Sequence, residues 1–271
     1  MSAAGQPAPN TTDLTVLRTE AYADSANLDD RRALYDFQDP RPDFFGWILD
    51  QVNWPDRGRV LDLGCGPGSH LARLADRRPG VDLVGADVSV GMLRTARSVA
   101  PAAALVGLDA SALPFADQSF AVVMANHMLY HVADLDQVVG GIRRSLVAGG
   151  TLLAVTNSVE HLDELYTDLA HAAGRDHWDR PTDHFTLEDH GPALRRCFDH
   201  VELRHHLGEL VVPHVAPLVA YAESTQALCG QGYTQEEWDE LMVNVEARFR
   251  SRIETEGAYR IRTHVGAFVC R

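Results

Sequence analysis

The stretch VLDLGCGPGSH, Val60 to His70, decides the fold of this 271-residue chain. Its first residues belong to a short apolar run typical of a strand, and the SHLARLADRR that follows places apolar residues at helical spacing. Between the two lie Gly64, Gly66 and Gly68, and glycine lets a backbone turn tightly and approach a ligand closely. A glycine-rich turn from a strand into a helix is typical of the ligand-binding edge of an open α/β sheet.

Strand-like runs alternate with helical segments on both sides of this turn. The predicted strands are RVLDL, VDLVGADV, ALVGLDA, FAVVMAN, TLLAVTN, HVELRHHLGELVV and AYRIRTHVGAFVC. Three helical segments lie among the first five strands, SHLARLADRR, VGMLRTARSVA and LDQVVGGIRRSLV. This alternation predicts an α/β fold with a parallel sheet and helices on both faces. Two further helical segments, over residues 216–257, come between the last two strands and predict a helical lid over the carboxyl edge of the sheet.

One domain is predicted after a short leader. Residues 1–12 have neither a basic region nor an apolar run, so they are predicted to be a disordered leader and not a secretory signal. The domain, residues 13–271, divides into N-terminal helices at 13–57, a ligand-binding core at 58–158, and the lid with the closing strands at 159–271. No apolar run approaches the roughly 18 residues that a membrane span needs.

Charge and composition exclude several classes of protein. With 24 basic and 38 acidic residues the formal net charge is −14, so nucleic acid and anionic membrane surfaces are poor partners. Every basic residue is arginine, and without a lysine the chain cannot be a Schiff-base enzyme, a pyridoxal-phosphate enzyme or a Walker-type nucleotide hydrolase. The four scattered cysteines are typical of reduced thiols in a cytoplasmic protein.

Three acidic residues lie at the ends of the first three predicted strands. Asp62 comes directly before the glycine turn, where a carboxylate can hold an ammonium group. Asp87 ends the second strand and suits the two hydroxyls of a ribose, and Asp109 ends the third and can accept from an adenine amine. Each could instead cap the next helix. Ser69 stands where a dinucleotide fingerprint needs its third glycine, so an amino-acid ligand fits better than a pyrophosphate.

These motifs resemble those of class I S-adenosylmethionine-dependent methyltransferases. VLDLGCGPGSH is similar to their first motif, GADVSVGML to the second, LDASALPFADQSFAVVMANHMLYHV to the third and fourth, and IRRSLVAGGTLLAVTN to the helix and strand that follow. The resemblance covers residues 59–157 closely. It implies a Rossmann-like sheet of seven strands, mostly parallel with an antiparallel last strand. The chain departs from the pattern at LVAGG, Leu146 to Gly150, where relatives usually carry Lys-Pro before the glycines.

The resemblance also implies a function and a set of site residues. It implies a cytoplasmic transferase of the small-molecule, methyltransferase type 11-like group, which takes S-adenosyl-L-methionine as its cofactor, forms a homo-oligomer and serves bacterial natural-product biosynthesis. The acceptor would be small and partly hydrophobic, methylated at nitrogen, oxygen or carbon. The implied cofactor-binding residues are Tyr22, Asp62, Gly64, Cys65, Gly66, Gly68, Asp87, Val88, Met92, Asp109, Ala110, Asn126, His127, Met128 and His131.

Other functions remain as alternatives. One is an NAD-type reductase, which the missing third glycine of the fingerprint disfavours. Another is a catalytically silent methyltransferase fold that acts as a binding protein, which the intact acidic residues disfavour. A methyltransferase of nucleic acid is disfavoured by the negative charge, since a polyanion would be repelled.

The run NHMLYH, Asn126 to His131, follows the fourth predicted strand. On a helix, His127 and His131 would share a face and suggest a metal pair, but no Glu follows His127 and no third ligand is in place, so no metal is predicted. At a strand end the run would instead lie at the mouth of a pocket. The predicted catalytic residues are therefore His127, Tyr130 and His161, which follows the fifth strand. For His161 the alternative is a position on a helix surface. For His131 the alternative to a place in the pocket is a hydrogen bond to the backbone alone.

Two further features have less specific interpretations. Three Asp-His pairs over residues 176–190 could bind a divalent metal, but a polar loop with helix caps is favoured. Aromatic residues before the sheet and in the lid are mostly core, and a few could form a cage around a cation or flat substrate. These residues are Tyr22, Trp47, Tyr130, Trp178, Phe185, Tyr221 and Tyr233.

The choice of acceptor decides whether a catalytic base is needed. A hydroxyl acceptor needs a base to remove its proton, and a histidine with its ordinary pKa near 6.5 can do so at neutral pH.

Overall fold

A seven-stranded sheet organises the computed structural model, which describes residues 11–271. Its strands are β1 (Gly58–Leu63), β2 (Val81–Asp87), β3 (Ala104–Gly107), β4 (Phe120–Asn126), β5 (Leu146–Asn157), β6 (Val201–Val212) and β7 (Tyr259–Cys270). They are arranged in the order β3-β2-β1-β4-β5-β7-β6. β7 runs antiparallel to β5 and β6, and the remaining pairs are parallel. The predicted Rossmann-like sheet with an antiparallel last strand is confirmed.

Helices connect these strands and cover both faces of the sheet. They are α1 (Leu14–Val16), α2 (Ala26–Ala33), α3 (Phe44–Leu49), α4 (Ser69–Arg77), α5 (Val90–Val99), α6 (Leu135–Ser145), α7 (Asp163–Ala172), α8 (Gly191–Arg195), α9 (Val215–Glu223), α10 (Gln226–Cys229) and α11 (Gln235–Glu256). One apolar layer packs α3 and α4 on the sheet, and another packs α6 and α8 on the opposite face. Because both faces are covered, β4 is buried almost throughout, as its apolar sequence FAVVMAN requires.

The strand order places the ligand-binding edge. β2 and β3 lie on one side of β1 while β4 and β5 lie on the other, so the chain reverses direction across the sheet between β1 and β4. At such a switch point the loops leaving the carboxyl ends separate and open a crevice. The glycine turn after β1 and the NHMLYH run after β4 both lead into this crevice.

A third apolar cluster joins the N-terminal segment to the helical insertion. It unites Leu17 and Leu34 with residues of α7, α9 and α11 and with the ends of β6 and β7. α11 begins with a capping box between Thr234 and Glu237 and ends at Gly257, whose φ of 82° suits a glycine. The insertion and the N-terminal segment therefore pack on each other over the carboxyl edge.

The N-terminal boundary differs from the predicted one. Residues 1–10 of the predicted leader lie outside the described residues. Thr11 was predicted to be in the leader, but its side chain is 0% exposed and its carbonyl accepts a hydrogen bond from Nδ1 of His131 at 2.7 Å. The folded domain therefore includes Thr11. Among residues 11–271, no helix combines the length and the apolar character needed to cross a bilayer.

Candidate active site

A cavity of about 670 Å³ lies in the crevice at the carboxyl edge. Its walls come from the glycine turn, the ends of β2 and β4, the N-terminal segment and the lid. Pockets for small ligands commonly have volumes of about 300 to 1,000 Å³. Most predicted cofactor residues line this cavity; of that set, Asp62 lies behind the glycine turn and Gly68 faces α5.

Two glycines of the turn have different surroundings: Gly64 packs against the side chain of Met128, and Gly66 borders open space. Gly64 has a φ of 70°, and a Cβ there would lie 2.7 Å from Cβ of Met128. Gly66 has a φ of 51°, and a Cβ there would meet nothing within 4 Å, so the turn exposes its backbone to the cavity. Asp87 fixes this turn to β2, since its Oδ2 accepts from the Gly66 N–H at 2.8 Å and its Oδ1 from the Ser89 N–H at 2.8 Å.

Asp62 is a buried carboxylate without a partner. It is 1% exposed, and neither of its oxygens accepts a hydrogen bond within the described chain. Burial, and secondarily the charge of Asp87, raises the pKa of Asp62 to about 8. The carboxyl is therefore mostly protonated at pH 7 without a ligand, because ionising it unpaired is costly, and a cationic group placed beside it would favour the carboxylate. Its position directly before the glycine turn therefore fits a ligand ammonium group.

Two more predicted residues present polar atoms to the cavity. Asp109 caps the short turn Ala110–Ala112 through the Ser111 N–H at 2.8 Å and still lines the cavity. Asn126 is buried at the end of β4, and both ends of its amide lack partners in the described part of the chain. Buried amides normally hydrogen-bond, so Asn126 also fits contact with a bound ligand.

The structure separates the two histidines of NHMLYH. β4 ends at Asn126, His127 adopts a φ of 54° with its N–H donating to the Val155 carbonyl at 2.9 Å, and a 3₁₀ turn spans Leu129–His131. The histidines are therefore not paired on a helix face. Elsewhere within residues 11–271, ligand atoms of three side chains come within 4.8 Å of one another in the loop that carries the Asp-His pairs. That group is His177, Asp179 and Asp183.

His131 holds the N-terminal segment over the cavity. Its Nδ1 must carry the proton that is donated to the Thr11 carbonyl, so Nε2 accepts from the hydroxyl of Tyr22 at 2.9 Å. Burial lowers the pKa of His131 to about 4, which keeps the ring neutral at pH 7. His131 thus forms a hydrogen bond to the backbone, which was one of its two predicted alternatives, and it also fixes Tyr22 at the cavity.

His127 and Tyr130 face the cavity without partners of their own. Neither side chain makes a hydrogen bond within the described residues, and both line the cavity. Burial lowers the pKa of His127 to about 4, with the charge of Arg32 adding to the effect. His127 is therefore neutral at pH 7 and a weaker base than its ordinary pKa suggests.

His161 occupies neither of its predicted positions. It is 3% exposed, which excludes the helix-surface position, and it stands behind Tyr35 and not on the cavity wall. Its Nδ1 accepts from the His264 N–H at 3.0 Å, so in the neutral ring Nε2 donates to the Tyr35 hydroxyl at 2.8 Å. Burial lowers the pKa of His161 to about 3, which maintains that neutral form. Its observed contact with the site is through Tyr35.

Three cavity residues were missed from the sequence. Arg31, Arg32 and Tyr35 come from α2 and the turn after it, and all three line the cavity. Arg32 is half-buried, lies 3.5 Å from Oγ of Ser69 and has its guanidinium 5.7 Å from the ring centre of Phe45. The four-residue spacing of Arg31 and Tyr35 could have indicated a shared helix face, but the sequence did not show which face meets the sheet.

We expect the free energy of unfolding to fall as the pH decreases from about 6.5 to about 4. Four buried histidines have pKa values lowered to about 3 or about 4: His70, His127, His131 and His161. The unfolded chain binds protons at these positions near pH 6.5 and the folded chain does not, so stability rises with pH in this window. Burial raises the pKa values of Asp62 and Asp87, so these two carboxyl groups act in the opposite direction, but the four histidines outnumber them.

Urea unfolding at pH 7 and pH 5 measures this effect. His161→Gln should flatten the dependence, because it removes one of the four groups. Equal free energies of unfolding at the two pH values would contradict the histidine arrangement described above.

Comparison with known proteins adds to this geometry. Residues 61–154 match a family model described as a methyltransferase domain. Trans-aconitate 2-methyltransferase of Variovorax paradoxus is 36% identical over 126 residues, which cover 46% of this chain and 49% of the relative. Methyltransferase GfsG of Streptomyces halstedii is 32% identical over 171 residues, covering 52% of this chain and 61% of the relative. The chain thus spans about half the length of such relatives.

A solved structure extends the likeness beyond the core. Phosphoethanolamine N-methyltransferase 2 of Haemonchus contortus, in complex with phosphomonomethylethanolamine and S-adenosylhomocysteine, aligns with a TM-score of 0.56 at 18% identity. The alignment covers 96% of this chain and 60% of that chain. At this identity the likeness concerns the fold alone.

Proposed function

We propose that this chain, whose residues 61–154 match a family model described as a methyltransferase domain, binds S-adenosyl-L-methionine and transfers its methyl group to a small, partly hydrophobic acceptor. The observation that carries the proposal is the unpartnered carboxylate of Asp62 behind a glycine turn that is open at Gly66. A zwitterionic amino acid supplies the ammonium group that Asp62 lacks. A nicotinamide cofactor has no such group to offer to this carboxylate.

The other polar groups at this edge fit the rest of the cofactor. Asp87 already accepts two backbone N–H bonds, but a carboxylate has about four acceptor sites, so two remain for ribose hydroxyls. Asp109, which follows the neighbouring strand β3, suits the adenine amine. Arg32, beside the first residue of α4, suits the cofactor's carboxylate. The neighbour from Haemonchus contortus has the demethylated cofactor bound in a related fold, which supports this assignment.

The protein's own part in the reaction is positioning. S-adenosyl-L-methionine supplies an electrophilic methyl group on a positively charged sulfur, and aligning a nucleophile with such a group contributes about 7 to 11 kcal/mol. Asn126 and His127 lie at the end of β4, between the glycine turn and the lid, so they border the reacting atoms. The lid residues Tyr166 and Tyr221, with hydroxyls 3.0 Å apart, close the far side and exclude water.

The setting of the enzyme is part of the proposal. A cytoplasmic location is supported by four cysteines that are all free thiols. A role in natural-product biosynthesis rests on the resemblance of the sequence to tailoring enzymes. Assembly as a homo-oligomer rests on how common such assemblies are among soluble enzymes.

Replacement of Asp62 by Asn provides a test with two opposite effects. We expect Asp62→Asn to weaken S-adenosyl-L-methionine binding by at least about ten-fold, or about 1.4 kcal/mol, because the variant cannot supply the negative charge behind the glycine turn that would attract the ammonium group. We also expect the ligand-free protein to melt at the same or a higher temperature, because the buried carboxylate has no native partner to lose.

Calorimetric titration and thermal melting measure the two effects. Asp82→Asn is the matched control, since Asp82 is exposed on β2 and does not line the cavity. It should change neither the affinity nor the melting temperature. Unchanged affinity in Asp62→Asn would remove the observation on which the proposed function rests.

A further inference from the structure

We propose that the methyl acceptor is a carboxylic acid, whose carboxylate is received by Arg31, Tyr35 and Tyr130. This inference rests on the proposed function and names the substrate class of the same site. It follows from the polar groups that line the cavity. Each of the three residues has a hydrogen-bond donor that is not used within the described chain, and the acidic side chains nearby already have partners.

Arg31 is a cation without an anion. It is half-buried on α2 and lines the cavity, with Nη1 donating to the Ser224 carbonyl at 2.9 Å. Its Nη2 is shielded from water and has no hydrogen-bond partner in the described chain. Its guanidinium lies 5.3 Å from the ring centre of Tyr22, and within residues 11–271 no carboxylate forms an ion pair with it. A guanidinium in this state matches a ligand carboxylate.

Tyr35 is fixed as a donor toward the cavity. Because Nε2 of His161 donates to the Tyr35 oxygen, the hydroxyl hydrogen of Tyr35 remains to be donated elsewhere. Tyr35 has no other hydrogen bond among the described residues. His161 is thus a positioning residue: it sets the direction of the tyrosine hydroxyl and does not touch the acceptor.

Tyr130 adds a second hydroxyl without a partner. It follows β4 and lines the cavity, and its ring centre lies 4.5 Å from that of His131. Nε2 of His131 accepts from the Tyr22 hydroxyl, and the Arg31 guanidinium lies 5.3 Å from the ring centre of Tyr22. Tyr35 is four residues along the chain from Arg31, so the three donors line one region of the cavity.

The acidic residues of the cavity wall outside the proposed cofactor site are engaged elsewhere. Asp36 pairs with Arg41, and Asp43 pairs with Arg73 at 2.7 Å. Asp134 accepts from a backbone N–H at the start of α6. A cationic amine would therefore meet a guanidinium, and each of these carboxylates already has a partner of its own. A neutral hydroxyl acceptor would need a base, and the neutral His127 is a weak one.

A carboxylate needs no base. One of its oxygens forms the new O–CH₃ bond while the S–CH₃ bond of the sulfonium donor breaks, and that electron pair stays on sulfur. No proton is released, and the anion and the sulfonium cation become a neutral ester and a neutral thioether. The ester no longer carries the negative charge that Arg31 is proposed to bind, and this loss favours release of the ester.

Matched ligands test the proposal without knowledge of the natural acceptor. The probes are benzoic, cinnamic, octanoic and geranic acid, each paired with its primary amide and its alcohol, titrated calorimetrically into the protein saturated with S-adenosylhomocysteine. We expect at least one acid to bind about ten-fold or more tightly than its amide and alcohol. With S-adenosyl-L-methionine present, that acid should yield a methyl ester, identified by mass and by its hydrolysis in base.

Variants at Arg31 link the preference to the residue. Arg31→Gln should abolish the preference for the acid and leave S-adenosylhomocysteine affinity within about two-fold, and Arg31→Lys should restore part of it. Arg18→Gln, an exposed arginine off the cavity wall, makes the same charge change and should have no effect. If no acid binds more tightly than its amide and alcohol, or if the preference survives Arg31→Gln, the carboxylic-acid inference is overturned and the proposed function is not. Failure to bind S-adenosylhomocysteine overturns the proposed function instead.

Discussion

Asp87→Ala is expected to weaken S-adenosyl-L-methionine binding by at least about ten-fold, or about 1.4 kcal/mol. The carboxylate of Asp87 performs two tasks. It accepts from the Gly66 N–H at 2.8 Å, which holds the glycine turn against β2, and it faces the cavity where the ribose hydroxyls are proposed to bind. Alanine removes both, so the loss should exceed that of a single hydrogen bond.

Two comparisons separate these tasks. Asp87→Asn keeps an oxygen that can accept from the Gly66 N–H, so it should retain the shape of the turn and lose only part of the affinity. Asp117→Ala breaks an exposed ion pair with Arg144 and should leave binding unchanged, since such pairs contribute little. Calorimetry gives the affinities, and thermal melting confirms that each variant is folded. Native affinity in a folded Asp87→Ala variant would contradict the assignment.

Gly91→Ala is expected to release the N-terminal segment from the core. A Cβ at Gly91 would lie 1.7 Å from the Ala23 carbonyl oxygen, a distance that only movement of the backbone can relieve. Beside it, Oγ of Ser89 donates to the Tyr22 carbonyl at 2.6 Å, so this is the point where the segment is attached to α5. Displacing it carries Tyr22 away from the cavity, and both ligand sites should lose affinity.

The core should tolerate this change, because alanine favours a helix by about 1 kcal/mol relative to glycine. Since Arg18 is exposed in the N-terminal segment, faster trypsin cleavage at this residue reports the release. Gly140→Ala is the matched control: Gly140 is also helical, and a Cβ there meets nothing within 4 Å. It should leave cleavage and binding unchanged. If trypsin cleaves Gly91→Ala as slowly as the native chain and the variant keeps its ligand affinity, the N-terminal segment does not form the cavity wall as described.

Local pattern was sufficient to predict the sheet and one side of the site. Val60 to Leu63 with the glycines after them specify a strand, a turn and a helix by their own conformational preferences. Asp87 and Asn126 could be placed at the carboxyl edge because parallel strands end at the same edge. For such residues, position along the chain determines position in the site.

The other side of the site depends on tertiary packing, which the sequence pattern does not contain. Arg31 and Tyr35 belong to a polar helical segment, and only its packing against α9 and the lid turns them toward the cavity. His161 was predicted to be catalytic or on a helix surface because it follows β5, but the close approach of Tyr35 places it one layer behind the wall. Thr11 was assigned to the leader because no local signal shows that His131 would hold its carbonyl.

Calorimetric titration of the native chain with S-adenosyl-L-methionine is the most direct measurement, with S-adenosylhomocysteine and NADH titrated in parallel. We expect micromolar affinity for the first two compounds and no binding of NADH, since the ammonium group that Asp62 requires is absent from the nicotinamide cofactor. Binding of NADH alone would identify a reductase. If neither S-adenosyl-L-methionine nor its demethylated product bound, the protein would have the fold, the glycine turn and the three carboxylates but no cofactor site. That result would contradict the methyltransferase function.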